Sequence, residues 1–221
     1  MLGPVKRLLL PDKDEPRKLR FGLGKGARMN INLRTHVRYY LGIYEYALNK
    51  HLKKMLRPGI VCYDIGGNFG YDAIVLAQRT KGTVISFERQ DVHVHDITEN
   101  AKLNPGLKIE VVRAFVGGQD QEGFVRIDTI AKRGPLPDFM KMDIEGAEVE
   151  ALQGAEWVLS TRKPDILIEV HGMDKEQGCL EILRRHGYEP IIVNYNRIWG
   201  EARDPAVHNR WIVAYGKPSA A

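Results

Sequence analysis

Two cysteines in 221 residues leave little scope for covalent bracing. Cys62 sits in an apolar run and Cys179 in a helix-like one. No metal-type cysteine spacing is present, so both are read as reduced thiols of a cytosolic protein. Long apolar runs are also missing: none approaches the ~20 residues of a membrane span. Leu8-Leu9-Leu10 is ended by Pro11-Asp12 and is too short for a signal-peptide core, which makes a cytoplasmic chain the expectation. There is no internal repeat and no low-complexity block. A complete G-x-G-x-x-G is absent, which weighs against a nicotinamide-dependent oxidoreductase.

What the chain does have is enough apolar residue, 43%, for the core of one domain of ordinary size. Its net charge of +5 is unevenly spread. Residues 1–57 hold 14 lysines and arginines against four acids (Asp12, Asp14, Glu15 and Glu45), a charge of +10, and residues 58–221 carry −5. A basic arm on a mildly acidic body suggests an anionic partner or substrate, set against the plainer reading of a solvated charged segment.

The rest of the chain is organised around residues 61–70, V-C-Y-D-I-G-G-N-F-G. Val61, Cys62, Tyr63 and Ile65 form a short buried strand that Gly66 and Gly67 end. From Tyr71 the pattern changes to a helical period, through Ala73, Ile74 and Ala77. A strand, a glycine turn and a helix N-terminus make a pocket for a polar ligand lying against the backbone, and Asp64 places a carboxylate at its edge. About twenty residues later a second strand, 84–87, ends in Glu88, the position from which an acid clamps ribose hydroxyls.

Residues 1–28 read mostly as loop or short extended segment, with an unstructured start, and 29–33 as a strand. A helix is expected over 37–56, stopped by Pro58-Gly59. Most of Tyr39, Tyr40, Tyr44 and Tyr46 are assigned to core packing, with one or two facing a ligand cleft. Further helices are expected over 91–103, 147–159 and 178–186. Further strands are expected over 108–112, 139–142, 166–170, 190–193 and 211–214. Residues 114–137 read as irregular, with a short strand inside, near 124–127. Alternating strands and helices give an α/β fold with a mostly parallel sheet covered on both faces. Beyond the strand ends this places Asp64, Glu88, Arg113, Asp143, Glu145, Glu169 and His171 on one rim. Helix capping accounts for any single acid there, but poorly for the whole set.

At these residues the chain resembles the FkbM-type methyltransferases, class I enzymes that use S-adenosylmethionine. The resemblance lies in D-I-G-G-N-F-G, F-E-R with E-N-A-K-L-N, K-M-D-I-E-G-A-E and I-L-I-E-V-H, with L-G-I-Y-E leading in before Pro58-Gly59. It covers about residues 28–215. It implies a Rossmann-like, seven-stranded sheet whose last strand is antiparallel. It implies cofactor contacts from Asp64, Gly66, Asn68 and Gly70, with Gly67 standing where the family more often has alanine. Glu88 would meet the ribose, and Asp143 would lie near the sulfonium and the acceptor.

The leading expectation is methyl transfer to a hydroxyl of a small molecule or sugar-like metabolite, with Asp143 orienting it and His171 as general base. Residues 58–221 would form the methyltransferase domain, and residues 1–57 a basic cover with a helix over the active-site rim. An RNA-directed methyltransferase or nucleic-acid binder using the basic arm is the alternative, and an oxidoreductase stands behind it. No metal is expected; the lesser alternative is Mg²⁺ held by Asp143, Glu145 and Glu169.

Overall fold

The apolar runs that bound the glycine turn lie at the centre of one sheet. The computed structural model describes residues 11–194 and 208–216, so the expected unstructured start over residues 1–10 lies outside the described residues. In chain order the strands are β1 (Asp14–Lys18), β2 (Arg28–Asn32), β3 (Cys62–Ile65), β4 (Thr83–Glu88), β5 (Lys108–Arg113), β6 (Phe115–Val116), β7 (Phe124–Val125), β8 (Phe139–Met142), β9 (Asp165–His171), β10 (Ile191–Val193) and β11 (Asn209–Ala214). Seven of them form the main sheet in the order β10-β11-β9-β8-β3-β4-β5. Strands β3, β4, β5, β8 and β9 run parallel, and β11 runs antiparallel to both of its neighbours. This is the architecture the resemblance implied.

The central strands are buried on both faces, so they read as continuous apolar runs rather than as alternation. The side-chain period of two still sorts their residues. Tyr63, Ile85, Met140 and Ile168 share one core cluster, and Cys62, Val84, Phe139 and Leu167 share another. Asp64 pairs in register with Ser86 and Lys141, and Lys141 with Leu167. The pleat therefore turns Asp64, Ser86 and Lys141 to the same face, and it carries that alternation on to Asp143 after β8 and to Glu169 on β9.

The structure corrects three expectations, each through a close backbone approach or an overlooked cap. The helix expected over 37–56 is broken: helices Leu33–Tyr40 and Asn49–Met55 flank a turn and a 3₁₀ segment, Tyr46–Leu48. Gly42, at φ 62°, causes the break; a Cβ there would stand 2.5 Å from the Phe21 carbonyl. The helix expected over 147–159 is two helices, Glu148–Gln153 and Glu156–Thr161. Between them Gly154 presses so closely on Gly117 that a Cβ would lie 2.1 Å from its oxygen. The irregular stretch hides a helix, Ile127–Arg133, whose buried Asp128 accepts from the backbone N–H groups of Trp157 and Val158 and so caps helix Glu156–Thr161. Residues 11–28 hold a short extended segment, β1, which pairs with β2, and their Leu19 and Ala27 pack with Met29, Ile31, Tyr71, Ile74 and Val75. Among the described residues no helix is long and apolar enough to cross a membrane.

Candidate active site

The strand-to-helix turn after β3 needs its glycines for separate reasons. Gly66 (φ 92°) and Gly70 (φ 89°) adopt left-handed backbone that other residues resist. A Cβ on Gly66 would lie 2.0 Å from the Asp143 carbonyl oxygen, so this glycine lets the loops after β3 and β8 touch. A Cβ on Gly67 would lie 2.3 Å from Ser86 Oγ. The glycine at this position is thus coupled to Ser86, and it is more than a neutral departure from the family pattern. Helix Tyr71–Thr80 starts at Gly70, and Asp72 lies in its first turn.

A cleft of ≈ 460 Å³ opens beyond the strand ends, lined among others by Gly66, Asn68, Asp72, Glu88, Asp143 and Glu145. Glu88 braces the floor. Its Oε2 accepts from the Asn68 N–H at 2.9 Å, and its Oε1 from the N–H groups of Arg89 (2.7 Å) and Gln90 (2.8 Å). Tyr39 and Tyr44 also line the cleft, so two of the four clustered tyrosines face it, and Tyr46 is exposed.

Asp64 lies beneath this wall rather than on it. It is 1% exposed, and its Oδ2 accepts from Ser86 Oγ at 2.8 Å. The carboxylate of this group that reaches the cleft is Asp72. Its Oδ2 accepts from Lys141 Nζ at 2.7 Å, and Glu45 Oε1 stands 3.5 Å from the same amine. Glu45 itself has a left-handed backbone, φ 51°.

The electrostatics follow from this crowding. Burial, helped by the charge of Asp72, pushes Asp64 up to about 7. Burial pushes Glu45 up to about 8 against the pull of Lys141. Lys141 is held well above its usual range: burial opposes its charge, but Asp72, Glu45 and Asp143 outweigh burial. A carboxyl raised in the folded state favours folding at low pH, and that contribution fades as pH rises from the ordinary carboxylate range through about 8. The melting temperature should therefore fall from pH 5 to pH 9 by an amount that shrinks in Glu45→Gln. Parallel melting curves for parent and variant would refute a buried, proton-holding Glu45.

The second cluster lies where β8 and β9 end. His171 Nδ1 is 2.7 Å from Glu148 Oε1, which also accepts from the Gly146 N–H at 2.9 Å. His171 Nε2 is 3.7 Å from Asp143 Oδ1 and 3.8 Å from Glu169 Oε1. Burial opposes the imidazolium, but the Glu148 hydrogen bond and the charges of Glu169 and Asp143 raise its pKa overall. Glu148 is lowered: burial works against its charge, and the bonds from His171 and Gly146 overcome that. Asp143 lines the cleft, and His171 stands behind it. Glu145 lines the cleft but does not join this cluster, which is Asp143, Glu169 and His171.

Sequence reasoning therefore gathered the rim acids and His171 but overlooked Glu45, Asp72, Lys141 and Glu148. Lys141 carried a usable signal: a lysine within F-M-K-M, a run otherwise fit for a buried strand, demands a buried anionic partner.

The order of the strands and the glycine cleft at their carboxyl ends are those that the resemblance to class I methyltransferases implied, and S-adenosylmethionine is the methyl donor of that class. The residues fit that molecule. The glycine turn admits it close to the backbone, and a lining with Asp72, Glu88, Asp143 and Glu145 against Arg89 suits its sulfonium and ammonium charges. Residues 104–190 match the family model described as a methyltransferase FkbM domain, so the FkbM-type resemblance stands on the stretch that includes K-M-D-I-E-G-A-E. The glycine turn lies outside the matched stretch. No curated protein matches the sequence.

Solved structures share the fold at low identity. A precorrin-6y C5,15-methyltransferase from Geobacter metallireducens GS-15 aligns with a TM-score of 0.57 and 19% identity, covering 75% of this chain and 85% of that one. A methyltransferase FkbM from Methylobacillus flagellatus KT aligns with a TM-score of 0.54 and 19% identity, over 74% of this chain and 50% of that one. Aeropyrum pernix fibrillarin, with natively bound S-adenosyl-L-methionine, aligns with a TM-score of 0.53 and 12% identity, over 72% of this chain and 68% of that one.

Proposed function

We propose that the methyl acceptor is a hydroxyl oxygen of a small molecule or sugar-like metabolite, activated beside Asp143 and His171. The observation that carries this reading is the pair itself: a carboxylate on the cleft wall with an imidazole 3.7 Å behind it, held by a buried glutamate. A hydroxyl acceptor has to shed a proton, and an acid–imidazole pair can orient it and assist that loss. On this reading Gly66, Gly67, Asn68, Gly70 and Glu88 hold the cofactor by contact, and Asp143 stands near its sulfonium. Asp64 and Asp72 add negative charge beneath and beside it. S-adenosylmethionine supplies an electrophilic methyl group, and the chain's own part is mainly to align acceptor and donor.

The RNA-directed reading is weaker, because the acidic walls oppose a polyanion. The test is to screen metabolite extracts for methyl incorporation from labelled cofactor. An O-methyl product supports the reading, and an N-methyl or C-methyl product sinks it.

The division at residue 57 belongs to the same proposal: residues 1–57 cover the acceptor end of the cleft. Tyr39 and Tyr44 on its wall, and Glu45 against Lys141, support this. Tyr44→Ala should leave cofactor binding within a few-fold while acceptor use drops by about tenfold or more, as positioning is lost. Unchanged steady-state constants in that variant would end the idea of a cover.

A further inference from the structure

We propose that Asp143, Glu169 and His171 bind a divalent metal ion at the acceptor end of the cleft. Each offers one ligand atom, and the three atoms lie within 4.8 Å of one another. The distances from His171 Nε2, 3.7 Å to Asp143 and 3.8 Å to Glu169, are too long for hydrogen bonds. The groups thus converge on a shared space and not on each other. Atoms that share an ion at ~2.0–2.2 Å stand roughly 3–4 Å apart, so a small inward movement of each side chain completes the coordination.

The surroundings prepare the imidazole for this role. Glu148 Oε1 accepts from His171 Nδ1, which holds a proton there and leaves Nε2, the nitrogen towards the two carboxylates, to ligate in exchange for its own proton. A carboxylate behind a metal-binding histidine is the usual outer partner of such ligands. Glu148 is 0% exposed, and its buried Oε2 has no hydrogen-bond partner among the described residues. Three carboxylates, Asp143, Glu148 and Glu169, therefore crowd one imidazole.

Two carboxylates and one imidazole suit Mn²⁺ or a cation like it, with further positions for water and the acceptor. Only the role of the ion rests on the hydroxyl reading. Bound to the acceptor oxygen, the ion lowers the hydroxyl pKa and the proton passes to solvent. The oxygen–methyl bond then forms as the methyl–sulfur bond breaks, its electron pair staying on the neutral sulfide. The site differs from the set Asp143, Glu145 and Glu169 in the exchange of Glu145 for His171.

The test uses the full chain, freed of metal by chelation and titrated with Mn²⁺, with binding read by electron paramagnetic resonance. One saturable site is expected. His171→Ala and Glu169→Gln should each weaken it by about tenfold or more, and Glu148→Gln by about ten- to a hundred-fold. Calorimetry with S-adenosylmethionine checks that each variant is folded. The proposal is overturned if the native chain shows no saturable Mn²⁺ binding, or if the variants bind as tightly as the parent. It is also overturned if the chelated enzyme methylates a hydroxyl acceptor at full rate. That last outcome leaves the hydroxyl reading intact, whereas saturable Mn²⁺ binding with an N-methyl product leaves the site and removes the hydroxyl.

Discussion

Replacing Glu88 by alanine should weaken S-adenosylmethionine binding about ten- to a hundred-fold. The side chain ends β4 at the cleft floor, about twenty residues after the glycine turn, where an acid meets ribose hydroxyls. A hydrogen bond to a charged acceptor is worth roughly 1.5–3 kcal/mol, and 1.4 kcal/mol is tenfold in affinity. The structure adds a second route to the same loss. Glu88 already receives three backbone N–H donors, from Asn68, Arg89 and Gln90. Its removal therefore frees the turn as well as the ribose contact. Glu88→Gln separates the two routes, because it keeps an oxygen for part of this network. Its affinity should fall between those of the parent and the alanine variant. Calorimetry giving the parent dissociation constant for Glu88→Ala would reject the assignment of Glu88 to the cofactor.

The parts of this protein that were legible in the sequence are those with local causes. The glycine turn, the alternation of strands and helices and the rim acids follow from period, punctuation and the rule that ligands lie beyond parallel strand ends, whereas the seven strands with an antiparallel last one came from the resemblance. Gly42 and Gly154 broke expected helices because each glycine answers a distant backbone, Phe21 in one case and Gly117 in the other. Spacing along the chain does not encode such contacts. Asp64 was placed at the cleft because it neighbours the turn, but the pleat turns its carboxylate to Ser86 beneath the floor. Asp72, only eight positions on, reaches the cleft because the helix after Gly70 carries it there. Glu148 escaped notice for a similar reason. It looks like a helix-start acid in K-M-D-I-E-G-A-E, and only the fold shows it beneath His171. Pairing of buried charges is a property of three dimensions, and the lysine within β8 was its one trace in the sequence.

His171→Ala should cost roughly 10²–10⁴-fold in turnover while cofactor affinity stays within a few-fold, given the usual weight of assisted proton removal. The argument starts from topology. Strands β8 and β9 are parallel neighbours, paired from Phe139 with Asp165 to Met142 with Ile168, so their carboxyl ends open side by side. Asp143 follows β8 and lines the cleft, and His171 ends β9 with Nε2 3.7 Å from it. The cofactor contacts assigned above lie on the turn after β3, at the end of β4 and at Asp143, and His171 is not among them, so binding and turnover should separate in His171→Ala. The imidazole is also held firmly: Glu148 fixes Nδ1 at 2.7 Å, and the backbone of Gly146 fixes Glu148 in turn. Loosening that support in Glu148→Gln should lower kcat more than it raises KM, since the imidazole then loses its orientation while acceptor contacts remain. Whether the imidazole takes the proton itself or holds an ion that lowers the hydroxyl pKa, its removal strikes the same step. Measurement needs the acceptor found by the labelled-methyl screen, followed by turnover from pH 6 to 9. If His171→Ala keeps the parent rate across that range, the residue only ties β9 to Glu148, and activation of the acceptor lies elsewhere in the cleft.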